Sequence, residues 1–271
     1  MYPRGIMSRP ITMLGAGHMG YAILAGAIRA EIIDPSEVTV VDVSEQARKR
    51  AQDLGCTAKS SASEIPASNV LILAVRPQEF SGVAKCLHSD ADRLAISIMA
   101  GLTSNVIAEQ LGSMTRVVRA MPNAPASINK AITTIAAGQG ATESDVAWAK
   151  SLFSGIGSSV EVEEAHKFAT TAVSGSGPAW AFSLAAAIFE EGVALGLPPD
   201  VADKLTREMI YGAAALLVDS NLSIEELVRS VVTPGGTTEA GLAAMSEAGM
   251  ADAIRAGVRA ACRRGEALAS Q

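Results

Sequence analysis

Residues 11–20 read Ile11-Thr12-Met13-Leu14-Gly15-Ala16-Gly17-His18-Met19-Gly20. A short apolar run, Ile11–Leu14, ends at glycines spaced G-x-G-x-x-G, and a helical pattern runs from Gly20 to Ala30. Strand, glycine loop and helix in that order form a phosphate-binding turn. Gly15 permits the tight turn, Gly17 lets the backbone approach a pyrophosphate, and Gly20 lets the helix pack closely on the strand. The helix N-terminus adds unpaired N–H groups and a partial positive charge. Ala16, His18 and Met19 fill the intervening positions. His18 either makes a polar contact to a cofactor phosphate or is simply an exposed loop residue.

Outward from this turn, further apolar runs stand at Val38–Val43, Val70–Val75, Leu94–Ile98, Arg116–Arg119, Ile132–Ala136 and Ser159–Val162. Helical stretches separate most of them: Glu45–Leu54, Pro77–Leu87, Ser104–Leu111 and Glu143–Phe153. Short strands alternating with helices predict an α/β domain with a mostly parallel, doubly wound sheet of Rossmann type, assigned to residues 1–163. Asp42 ends the second run, about 20 residues beyond the glycines, where an acid accepts hydrogen bonds from both ribose hydroxyls of NAD and repels the extra phosphate of NADP. This weighs towards NADH, although Arg48 lies close by. Three more loops fall at carboxyl ends of strands, where open α/β sheets bind ligands. They are Ala74-Val75-Arg76-Pro77, Met99-Ala100-Gly101 and Met121-Pro122-Asn123-Ala124-Pro125. The two prolines of the last would hold Asn123 rigidly at a nicotinamide edge, or mark an ordinary strand exit.

After Glu164 strand-like runs vanish, and an all-α domain is expected over residues 164–271. Its helices are Pro178–Leu195, Pro199–Ser220, Ile224–Val231, Thr238–Glu247 and Ala251–Ser270. The first is apolar on almost every face before Glu190, and such a helix is buried all round. A domain this small cannot bury it alone, so an intertwined homodimer is expected. Two glycine-rich loops, Ser174–Ala179 and Thr233–Gly241, each precede a helix and present N–H groups to an anion. With the dinucleotide already placed, that second anion is a substrate carboxylate. The hydroxyls of Thr237 and Thr238 either join it or cap the helix.

Composition narrows the classes. A net charge of −6 with one basic cluster, Arg48-Lys49-Arg50, argues against nucleic-acid binding, and that cluster reads as a solvated helical turn. Three cysteines without CxxC spacing support neither a disulfide framework nor a zinc site, and three histidines make a multi-histidine metal site improbable. A reducing cytoplasm fits. Residues 1–10 lack the apolar core of a signal peptide and read as a ragged extension, with Met7 as an alternative start. Phe168–Phe189 is uncharged and long enough to span a membrane, but Ser174-Gly175-Ser176-Gly177-Pro178 inside it is expected to break a spanning helix.

Together, Gly15–Gly20, Ala74–Pro77, Met121–Pro125, Ser174–Ala179 and above all Thr233–Gly241 resemble the pyrroline-5-carboxylate reductase family over essentially the whole chain. The resemblance implies an N-terminal Rossmann domain and a C-terminal helical domain that interlocks dimers, often assembled as a decamer. It implies an active site between the Rossmann domain of one subunit and helical elements near the dimer interface. Ala74, Val75, Arg76 and Pro77 would line the cofactor and Ser44 would sit near the adenosine ribose; Met99, Ala100 and Asn123, by their place at strand ends, are expected to join them. Ser176, Gly235, Gly236, Thr237 and Thr238 would bind the substrate. The implied reaction is reduction of 1-pyrroline-5-carboxylate to L-proline by NAD(P)H without a metal, with Thr238 as the catalytic candidate at the ring nitrogen. The family usually has lysine at Arg76, tyrosine at Trp180, threonine at Ala124, serine at Thr233, and an acid at Phe168 and Arg229.

Three alternatives stay open. A reductase of a related ring, such as a six-membered homologue or the 2-carboxylate isomer, would fit the same motifs. A β-hydroxyacid dehydrogenase would need a lysine after the second glycine motif, and Pro178–Glu191 has none. A noncatalytic dinucleotide-binding regulator would not need Thr233–Gly241.

Overall fold

A computed structural model of the chain describes residues 10–65, 68–87 and 91–269. The expected N-terminal extension up to Arg9, and the Ser270 end of the last helix, lie outside these residues. An eight-stranded sheet runs in the order β3-β2-β1-β4-β5-β6-β7-β8. Its strands are β1 (Ile11–Leu14), β2 (Val38–Val41), β3 (Thr57–Lys59), β4 (Val70–Leu73), β5 (Arg93–Ser97), β6 (Thr115–Met121), β7 (Ala131–Ala137) and β8 (Gly157–Glu161). All neighbours are parallel except β6 and β7. Ile11 is in register with both Val38 and Val70, so the strand order reverses at β1 and a crevice opens beyond Leu14.

The strands are apolar throughout because helices cover both faces. On one face Met13, Val40, Ile72 and Ile96 join α1 (His18–Arg29), α2 (Glu45–Asp53) and α5 (Glu143–Ser154). On the other Leu14, Leu71, Leu73 and Ala95 join α3 (Pro77–Leu87) and α4 (Ser104–Leu111). Leu71 and Ile72 thus face opposite ways, the period of two that a strand imposes. Side-chain caps set the helix starts. Ser44 accepts the Ala47 N–H at the head of α2, and Thr142 and Asp145 form a reciprocal capping box on α5.

The chain divides into two units. The first runs to Gly175 and is rejoined from Ala261 by the end of the last helix, and the second is Ser176–Ala260. The second holds α7 (Gly177–Ala194), α8 (Pro199–Asp219), α9 (Ile224–Ser230), α10 (Thr237–Glu247) and most of α11 (Met250–Ala269).

Some expectations are corrected. The strands expected to reach Val43 and Val75 stop at Val41 and Leu73, and Asp42 and Ala74 begin the turns. β3 carried no signal, being short, polar and at an edge. Ser174–Ala179 is not a loop. α6 (Lys167–Thr170) passes into a π-turn over Thr171–Gly175, and α7 begins at Gly177 with Pro178 in its first turn. Proline fits there because the first N–H groups of a helix have no partner to lose. The glycines therefore widen the helical course without breaking it. By length and composition Glu164–Ala194 is apolar enough to cross a membrane. α7 is also not buried all round: none of its residues is buried within the chain, and Phe182 is 67% exposed.

Candidate functional site

The glycine loop is built by two different demands. Gly15 has φ +88°, and a Cβ there would lie 2.7 Å from the Ala74 carbonyl oxygen, while a Cβ on Gly20 would lie 2.4 Å from the Gly15 oxygen. Both glycines are required by the protein's own packing. At Gly17, by contrast, φ is −60° and a Cβ would meet nothing within 4 Å. Gly17 stands at the head of α1 without a side-chain cap, and the first turn carries no acid. Open space before unpaired N–H groups fits a pyrophosphate. His18 is exposed at the first helical position and Met19 is half-buried.

Asp42 does more than end β2. Its Oδ2 accepts the Ala16 N–H at 2.7 Å and its Oδ1 accepts the Ser44 N–H at 2.8 Å, so it ties the glycine loop to the turn before α2. A carboxylate has about four acceptor sites, which leaves room for ribose hydroxyls. Arg48 donates to the Asp42 and Val43 carbonyls at 2.8 and 2.9 Å. Arg50 donates to the Ala16 carbonyl at 3.1 Å and lies 4.8 Å from the centre of the Tyr21 ring. The basic cluster is therefore not just a solvated turn, because two of its three members brace the cofactor loops. Ser44 is exposed beside them.

At the carboxyl ends of β4 to β6, Ala74 and Val75 are half-buried, Arg76 is exposed and Pro77 opens α3. Met99 is buried, Ala100 is exposed and Gly101 has φ +83°. Asn123 is 8% exposed, and both ends of its amide are engaged: Nδ2 donates to the Ser174 carbonyl and Oδ1 accepts the Ile132 N–H, each at 3.1 Å. It moors the β6 exit to the π-turn, and its second N–H and second lone pair stay available. A narrow open cleft lies here, lined by Ala100, Gly101, Arg119, Thr134, Glu164 and Thr171 among others. Arg119 and Glu164 were not singled out in the sequence, because a charged residue inside an apolar strand or before a helix gives no local signature.

In the helical unit, Ser176 is the half-buried residue before α7, its hydroxyl making no cap. Between α9 and α10, Gly235 has φ +70° and the Gly236 N–H closes a turn on the Thr233 carbonyl at 2.9 Å. Thr237 and Thr238 are the first residues of α10, both exposed. Neither caps the helix: Gly236 holds the cap position without a side-chain bond. Instead Glu239 Oε2 accepts the Gly235 N–H at 2.7 Å. Glu239 was overlooked, although an acid three residues past a cap is a readable signal. Among the described residues, no three His, Cys, Asp or Glu gather as a metal site.

A family model described as pyrroline-5-carboxylate reductase dimerisation matches residues 164–268, and one described as NADP oxidoreductase coenzyme F420-dependent matches residues 10–101. A pyrroline-5-carboxylate reductase from Methanosarcina acetivorans is 36% identical over 242 residues, covering 88% of this chain and 90% of that one. The chain belongs to the pyrroline-5-carboxylate reductase family. A reductase from Synechocystis sp. is likewise 36% identical, with the same coverage. The solved pyrroline-5-carboxylate reductase of Coxiella burnetii superposes with a TM-score of 0.89 at 29% identity, covering 96% of this chain and 98% of that one.

For a pyrroline-5-carboxylate reductase, the exposed apolar face of α7 and α8 is accounted for by a helical domain that dimerises. The absent lysine and the family assignment together remove the β-hydroxyacid dehydrogenase alternative. The family departures also find places. Phe168 lines the cleft and abuts Gly265 of α11, where a Cβ would come within 3.0 Å of the ring, and Lys167 lies over that ring at 4.8 Å. Trp180, Arg229, Ala124 and Arg76 are all exposed.

Proposed function

We propose that this reductase converts 1-pyrroline-5-carboxylate to L-proline with NAD(P)H, and that its cofactor and substrate groups are those set out above. The observation that carries the reading is the open space at Gly17 above an uncapped helix N-terminus, in a chain that also has the Gly235–Thr238 turn of its family. When bound, the reduced nicotinamide supplies the hydride that the imine carbon accepts. Gly15–Gly20 holds the pyrophosphate, Asp42 and Ser44 face the adenosine ribose, and Ala74–Pro77, Met99 and Ala100 shape the nicotinamide side. Asn123, held by the loop it moors, stands at the nicotinamide edge.

On the substrate side the N–H groups of Thr237 and Thr238 and the hydroxyl of Thr238 receive the carboxylate and ring nitrogen, Gly235 and Gly236 shape the turn that presents them, and Ser176 stands at the head of α7 as a further contact. The ring nitrogen ends with one more proton, and Thr238 contributes a hydrogen bond there. A free threonine hydroxyl is a poor acid, so Thr238 is assigned the hydrogen bond and not the proton's supply. A protonated imine is already electrophilic, so alignment supplies much of the acceleration. The chain works as a homodimer through its helical unit, and dimers gather into the decamer that the family resemblance implies. Cytoplasmic chemistry suits its unpaired cysteines.

The test is to mix the purified protein with pyrroline-5-carboxylate and follow nicotinamide absorbance and proline together. Stoichiometric proline supports the reading. Cofactor binding without turnover moves it to another cyclic imine carboxylate. NADH and NADPH are run in parallel, and Asp42 leads us to expect a higher kcat/KM with NADH.

A further inference from the structure

The loop between β5 and α4, residues 98–103, is gripped at both ends by charges from elsewhere in the chain. At its start, the Arg119 guanidinium on β6 donates to the Ser97 carbonyl at 3.2 Å, to the Ser97 hydroxyl and to the Met99 carbonyl. At its far end, Glu164, just before α6, accepts the Ser104 N–H at 2.7 Å and the Ser104 hydroxyl at 2.5 Å. Arg119 is 7% exposed, and its Nε is buried without a hydrogen-bond partner. Burial pushes its pKa down to about 10 while the Glu164 charge opposes the shift, so it stays a cation at neutral pH.

A buried guanidinium with an unsatisfied donor costs the fold stability that an apolar residue would not. Packing alone does not explain it. What the pair achieves is geometric: two charge-assisted grips fix the ends of a loop that contains Gly101 at φ +83° and exposed Ala100. Both residues and the loop line the same cleft, at the carboxyl end of the sheet where the nicotinamide half is placed in the reading above.

We infer that Arg119 and Glu164 are positioning residues for hydride transfer, holding the β5–α4 loop so that it sets the depth and tilt of the nicotinamide. The inference rests on the proposed reaction. It requires that loosening either grip leave the adenosine end of the site intact and misplace the reacting end. A displacement of about 1 Å at a reacting centre costs on the order of 100-fold in rate.

The experiment uses the full chain with Arg119→Met, Arg119→Lys and Glu164→Gln. Three quantities are read: calorimetric affinity for ADP-ribose, kcat with pyrroline-5-carboxylate, and the primary isotope effect with cofactor deuterated at the transferred position. We expect Arg119→Met to bind ADP-ribose like the parent, to lose about 100-fold in kcat, and to show a larger isotope effect because chemistry has become slower. Arg119→Lys keeps the charge but not the fork and should recover part of kcat. Glu164→Gln keeps an acceptor for one Ser104 donor and should show the same pattern more weakly, and it serves alone if the Arg119 variants do not fold. A parallel fall of ADP-ribose affinity and kcat would mean general damage and overturn the inference, as would an unchanged kcat in Glu164→Gln. The parent protein separates the two levels: if it makes no proline the reaction is wrong, whereas if it does and the variants match it only the positioning role fails.

Discussion

Gly15 and Gly17 belong to one motif but answer to different masters. Gly15→Ala places a Cβ against the Ala74 carbonyl at positive φ, and we expect a stability loss of about 1–3 kcal/mol, read as a lowered denaturation midpoint. Gly17→Ala adds a methyl to empty space at an ordinary φ, so stability should hold while cofactor affinity falls about tenfold or more in a binding titration. If both variants behave alike, the division of labour is wrong. Thr238→Ala should lower turnover strongly with NADH binding intact; unchanged turnover would sink its assignment. Replacing Asp42 by Asn keeps an acceptor for one of the two N–H groups it now ties, and should narrow the NADH preference at some expense of loop order, measured as kcat/KM with each cofactor. The glycine spacing was legible because each glycine answers a backbone requirement that local sequence states openly. The double engagement of Asp42 and Asn123 was not, because their partners lie in loops brought near only by the folded sheet.

At the scale of the element, helices were readable to within a residue or two wherever a cap or proline marks the end. α5 shows why. Thr142 and Asp145 close its first turn reciprocally, and Asp145 also meets Arg116 at 2.8 Å. Burial alone would raise the Asp145 pKa, but the bonds from Arg116 and Thr142 outweigh it and hold the carboxyl below its usual value of 3.8. A group depressed on folding stabilises above its unfolded pKa and loses that contribution as pH falls through the folded one. Asp145→Asn should therefore cost about 1–2 kcal/mol at neutral pH, and the gap between variant and parent should close below about pH 4 in denaturant melts. A gap independent of pH would show that packing, not charge, is at work. The π-turn at Thr171–Gly175 escaped reading for the opposite reason: Ser-Gly-Ser-Gly-Pro is loop-like in composition, and its helical course shows only in the folded backbone.

For the whole molecule, binary pattern led to the expectation of an unusually apolar helix that needs a partner chain to cover it, and the match to a dimerisation family model over residues 164–268 agrees with that. Phe182 at 67% and Tyr211 at 71% exposure stand on α7 and α8 of a unit whose buried residues, among those described, are only Ala202 and Thr206. Burying such side chains stabilises an interface by about 1.5–3 kcal/mol each. Phe182→Glu should therefore shift the species seen by light scattering from a dimer or larger assembly towards smaller or aggregated forms, and lower the thermal midpoint in a concentration-dependent way. A variant that keeps the parent's mass and midpoint would place the interface elsewhere.

The return of α11 to the first unit has a consequence for how the chain is made. Phe168 waits for Gly265, and residues from Ala261 onward are synthesised after everything they join in that unit. The nucleotide-binding half therefore cannot be finished on the ribosome while the rest is still being translated. An incomplete product ending before Ala261 would leave the Phe168 side of the cleft without its α11 neighbour. Completion of the first unit is coupled to synthesis of the helical one that precedes Ala261.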